Sequence, residues 1–195
     1  MSKATLKKAL QNLEKEQIIE MVLDLHAARP EAKEYLEFWV SGDIESKMNK
    51  AKAAVTKEIS RRQRTRPRPR MTKIKRYIKD IVSLNADSEA IAEIMTFAIE
   101  KMCLAGSEGW IKESTQKSTA KLLHDTLVYA YKNGEYYNTI GKLNEAIKNM
   151  RNDVWWSRDF KKLLSDELSD TEKALIAENT PSIIYYLFCS AKKNN

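Results

Sequence analysis

"DSEAIAEIMTFAIEKMCLAG", residues 87–106, decides the fold class. Asp87 stands just ahead of an apolar-rich run, where an aspartate side chain accepts from the bare N–H groups of a first helical turn. The run has helical periodicity, and Gly106 closes it as a left-handed stop. The spacing predicts one helix from cap to glycine.

The same periodicity extends in both directions. Toward the N-terminus, Leu6, Leu10 and Leu13 make one apolar stripe, and Ile18, Ile19, Met21, Val22 and Leu25 make a second. Pro30 suits the first turn of a third helix bearing Tyr35, Leu36, Trp39 and Val40. "SGD" at 41–43 breaks that helix, and Asp43 starts another that runs to about Arg61. Ile74, Ile78, Ile81 and Val82 mark a helix over about 72–84. On the other side, a helix from about 110 stops at Asn133-Gly134, and "EYYNTIGKLNEAIKNM" follows at once as an antiparallel neighbour. Asp153 starts "VWWSRDFKKLL", Ser169 with Glu172 spells a capping box, and Thr180-Pro181 opens a last helix.

These starts share no fixed period, so a solenoid is not indicated. The expectation is an all-α fold: an irregular multi-helix domain of antiparallel helical hairpins, with about nine to eleven helices and no sheet. A single domain is expected over 1–195, with a basic Arg/Pro linker at about 62–71. Aromatic C-terminal helices over 153–195 are expected to pack on the same core.

Bulk composition agrees. At 195 residues roughly 70% of the unfolded surface can be buried, so the core needs no staples. Hydrophobic residues at 43% and charged residues at 31% are globular proportions, and five Gly with four Pro are few punctuators for a β-rich chain. Cys103 and Cys189 sit among apolar neighbours and read as buried free thiols. The opening "MSKATLKKAL" has no apolar signal core, and no segment approaches the ~20 apolar residues of a membrane span. A reducing cytoplasm is the expected setting.

The order of "TLKKALQNLEKEQIIEMVLDL", "AKEYLEFWV", a basic junction and "IKDIVSLNADSEAIAEIMTFAIE" resembles an uncharacterised bacterial domain-of-unknown-function family, over about residues 2–150. The resemblance implies a helical fold. It brings no assigned activity and no functional residues.

Catalytic constellations are missing from the sequence. There is no C-x-x-C, H-E-x-x-H, G-x-x-x-x-G-K-[ST] or G-x-G-x-x-G. Leu23 and Lys121 stand where a di-iron bundle needs glutamates before His26 and His124, and two histidines do not make a zinc site. No cofactor and no metal are expected. Cys103 and His124 lie on successive helices, where a dyad would require them to meet. Glu89 and Glu93 share a helix face and read as solvated. Trp156, Phe160, Leu163 and Leu164 form a core stripe that leaves Trp155 beside Arg158.

Charge is the one concentrated feature. The net charge is +7, yet Arg61 to Lys79 holds ten Lys or Arg and no acid, and the remainder of the chain is at −3. Candidate contacts for an anionic partner are Arg61, Arg62, Arg64, Arg66, Arg68, Arg70, Lys73, Lys75, Arg76 and Lys79. Pro67 and Pro69 force extended backbone on their neighbours, which predicts a polyproline-like arm with its arginines fanned around the axis. "RTRPRPR" also resembles the core of the AT-hook, with Thr65 where that motif has glycine. The expected function is a non-enzymatic helical interaction or scaffold domain that meets an acidic partner through this segment. The alternative is a nucleic-acid-binding accessory protein using residues 61–79 against phosphates, and an enzyme is a distant third.

Overall fold

The computed structural model describes the backbone of residues 1–191 and the side chains of residues 1–177. Among these the fold is all-α, with nine helices and one minute ladder. The sequence is read as one domain; the contacts group into two compact units, Met1–Ile44 and Glu45 onward.

The first unit holds α1 (Lys3–Gln11), α2 (Lys15–Ala28) and α3 (Pro30–Ser41). Local chemistry sets each boundary. Ser2 accepts from the Thr5 N–H at the start of α1, and Glu14 and Gln17 bond reciprocally across the first turn of α2. Pro30 opens α3, and Gly42 closes it at φ 63°, a left-handed angle at which a Cβ costs energy. No residue of these three helices is buried.

The second unit is built from α4 (Ile44–Ile59), α5 (Met71–Ser83), α6 (Ser88–Glu108), α7 (Glu113–Lys132), α8 (Tyr136–Lys148) and α9 (Trp155–Ala191). Two short strands, β1 (Arg62–Gln63) and β2 (Arg66–Pro67), pair between α4 and α5. Helix α6 is the axis of this unit and touches α5, α7, α8 and α9. Its buried residues, among them Ile91, Ile94, Ala98, Ile99, Met102 and Cys103, cover most of its circumference and leave Glu89, Glu93, Leu104 and Glu108 on one exposed stripe. Val55, Ile74, Leu123, Leu127, Leu143, Phe160 and Leu164 complete a fully closed core around it.

Three sequence expectations change here. The Arg/Pro segment was expected to carry no strand, and it holds the ladder. Gly106 is not a helix stop: α6 continues to Glu108, with Gly109 as its cap. Gly106 is instead a point of close approach, because a Cβ there would lie 2.5 Å from Phe160 Cδ1 on α9. No helix begins at Ser169 or Pro181, since α9 runs unbroken from Trp155 to Ala191. Leu164, Leu168, Thr171 and Leu175 are buried on successive turns, so one continuous stripe overrides the Ser169–Glu172 signal.

A candidate anion-binding hairpin

After Ile59 the chain leaves the α4 core face and turns back on itself. Gln63 pairs with Arg66, Arg62 faces Pro67, and the Arg68 N–H donates to the Arg61 carbonyl at 2.7 Å. The expected polyproline arm is therefore a two-stranded ribbon. The reason lies in which residues need to donate. In an antiparallel ladder, bonded and non-bonded pairs alternate, and the proline stands at the non-bonded position opposite Arg62. Its missing N–H costs the ladder nothing there.

Side chains follow the strand period. Pro67 and Pro69 are buried, while Arg61, Arg64, Arg66, Arg68 and Arg70 are exposed. Pro67 presses on the end of α6, where a Cβ on Gly109 would lie 2.6 Å from Pro67 Cδ. A cavity of about 270 Å³ lies behind the ribbon, between Ile59, Pro67, Leu104 and Glu108. Arg66 and Arg68 are two residues apart, and Arg61 stands across the ladder from Arg68, so the strand period puts all three on one face of the ribbon. The fanned arrangement expected from sequence does not occur. Arg64 occupies the tip at φ 57°, which the two-residue turn requires.

Two of the six arginines are tied to the protein's own carboxylates. Arg70 donates from Nε to Glu58 Oε2 at 2.5 Å and from Nη2 to Oε1 at 2.6 Å. Glu58 is buried, and the Arg70 hydrogen bonds hold its carboxyl below the usual carboxylate range against the opposing effect of burial. Arg62, on the inward face with Pro67, donates to Glu108 at the end of α6. The guanidinium of Arg66 lies 5.8 Å from the centre of the Trp110 ring.

Helix α5 extends the charge. Met71, Ile74, Ile78 and Ile81 are buried, and Lys73, Arg76 and Lys79 form an exposed i, i+3, i+6 ridge opposite them. Lys75 flanks this ridge and is half-buried. The first turn of α5 carries no acid, and no side chain caps it.

Sequence reasoning missed Glu58, Glu108 and Trp110. Glu58 did leave a signal. It falls on the same helical stripe as Met48, Ala51 and Val55, all buried, and a lone carboxylate in such a stripe calls for a cationic partner. Nothing local marked Glu108 or Trp110.

The other chemical candidates separate in space. Cys103 lines a groove between α6 and α8, and burial pushes its thiol up to about 12, far from a nucleophile's range. His124 sits elsewhere, with Nδ1 3.0 Å from Thr171 Oγ1 and 3.3 Å from Glu167 Oε1, both on α9. Glu89 and Glu93 are exposed, and Glu93 accepts from Lys52 Nζ at 2.5 Å. Trp155 is exposed, whereas Phe160 and Leu164 are fully buried. No cluster of three metal-ligating side chains occurs among the described residues, and none of their helices is long and apolar enough to cross a membrane. Cys189 lies outside the residues whose side chains are described.

The fold and the hairpin together define an all-helical domain with a buttressed cationic ribbon. Its lineage is shown by a family match: the chain belongs to DUF6155, a family of unknown function, whose profile covers residues 1–168. No curated protein matches the chain, and no solved structure does.

Proposed function

We propose that this chain is a non-enzymatic interaction domain that docks an acidic protein surface against the outer face of the hairpin and the α5 ridge. One observation carries the reading. The prolines of "RPRPR" are anchored inward, so Arg61, Arg66 and Arg68 are held on one face with Arg64 at the tip. Guanidinium groups displayed by a fixed backbone lose less freedom on binding than those of a loose arm. The surface is short, since each strand has two residues and the Lys73–Lys79 ridge spans only about 9 Å at 1.5 Å per residue. The carboxylates of Glu58 and Glu108 border it. A compact patch whose flanking Arg62 and Arg70 are already paired within the protein suits a local acidic patch better than a long phosphate track.

A second reading rests on its own observation. A two-stranded ribbon fits a nucleic-acid groove, and Arg66 over Trp110 offers a flat cationic surface on which a base can stack.

The test uses two defined polyanions, polyglutamate and a random DNA duplex, titrated into the full chain at several salt concentrations. Polyglutamate bound at low salt, and lost when Arg61, Arg64, Arg66 and Arg68 are changed to Ala, is the expected result. Duplex bound in preference, with log K falling against log[salt] at a slope of about −3.6 for four phosphate contacts, selects the second reading. Binding to neither overturns both.

A further inference from the structure

The first unit has the form of a folded element that lacks an interior. Residues 1–44 make three helices, yet none of their residues is buried. A unit of this size seldom closes a core of its own without metals, disulfides or association. Its apolar residues are nevertheless organised. Leu6, Leu10 and Leu13 of the α1 segment and Ile18 and Ile19 of α2 line an open groove of about 630 Å³. Lys3, Lys7 and Lys15 stand at its edge. On α3, Tyr35 and Trp39 follow Glu31 at i+4 and i+8, so the three make one ridge. Trp39 is 74% exposed, an unusual state for an indole.

Groove and ridge are complementary in charge as well as in polarity. Helix α1 carries three lysines and no acid, whereas α3 carries Glu31, Glu34 and Glu37 against Lys33 alone. An apolar groove with a cationic rim and an aromatic ridge with an acidic end are thus presented by the same unit. We propose that the occupant of the groove is a second copy of this chain. The Tyr35–Trp39 ridge of one protomer seats in the α1–α2 groove of its partner, with Glu31 facing the lysine rim, and the exchange is reciprocal about a two-fold axis. The resulting dimer supplies the buried core that three helices alone do not have. A membrane surface is the less suitable occupant. The unit holds six basic and eight acidic residues, a net of −2, which an anionic bilayer repels.

Sedimentation of the full chain over a concentration series tests this. A dimer that dissociates on dilution is expected. Changing Tyr35 and Trp39 together to Ala weakens it by about thirtyfold or more, the usual cost of losing aromatic anchors. Both side chains are exposed, so circular dichroism of the variant should match the parent protein. A charge swap adds a readout that misfolding cannot imitate. Chains with Lys7→Glu and Lys15→Glu, or with Glu31→Lys, each lose self-association, and a mixture of the two regains it. A chain that stays monomeric throughout overturns the proposal. So does a dimer indifferent to Trp39 and to the swap, or a monomer whose co-flotation with phosphatidylserine vesicles survives the change of Arg61, Arg64, Arg66 and Arg68 to Ala but is lost with Trp39→Ala.

Discussion

Glu58 and Arg70 are joined by two parallel hydrogen bonds, of 2.5 and 2.6 Å, that tie the last turn of α4 to the residue capping α5. The pair spans the hairpin and fixes both of its ends. Arg70 therefore serves the fold, whereas Arg61, Arg64, Arg66 and Arg68 are exposed, with Arg66 over the Trp110 ring.

This pair gives a pH dependence with a definite sign. Arg70 holds the Glu58 carboxyl below its ordinary value of 4.5. A carboxyl depressed in the folded state binds protons more readily when unfolded. Its contribution is complete above the ordinary value and is lost as pH falls through the lower, folded one. Thermal melts of the parent chain and Glu58→Gln should differ at neutral pH, with the variant less stable. The gap should close in acid. A gap that is constant across the acid range rules out the pairing as its source.

Gly106 meets Phe160 without room for a methyl group. The obstacle is the aromatic ring itself, which is fully buried. Gly106→Ala should cost about 1–3 kcal/mol through overpacking, although alanine is the better helix former. Chemical denaturation measures this. A stabilised variant would mean that α6 and α9 separate easily at this point.

Arg64 sits at a positive φ, exposed, with its charge at the hairpin tip. Arg64→Gly removes the Cβ that disfavours this conformation and should raise stability by about 1 kcal/mol. It should also weaken polyglutamate binding, since one outward charge is gone. Opposite signs in denaturation and titration are the signature. A loss in both would show that the arginine side chain supports the turn.

Most helix boundaries were legible from residues alone, because capping and periodicity act within a few positions of one another. Asp87 accepts from the Ala90 N–H as its place before the apolar run predicts. Pro30, Gly42 and the Asn133-Gly134 stop behave likewise. The concentration of positive charge between Arg61 and Lys79 was equally plain, since charge can be counted without knowing the fold. Local signals misled where a distant surface outweighed them. Ser169 and Glu172 spell a helix start, but Leu168, Thr171 and Leu175 keep the same buried face and carry α9 through.

What the sequence by itself determined is the class of structure and the sign of its exposed segment, both consequences of neighbours along the chain. Only the tertiary structure decided that "RPRPR" belongs to a buttressed ribbon and that Arg62 and Arg70 are already engaged. It also decided that Gly106 is a contact and not a terminus. Each of these depends on an opposing group, Gly109, Glu58, Glu108 or Phe160, brought near by packing. A residue's own identity fixes what it can do; the group placed opposite it fixes which of those things it does.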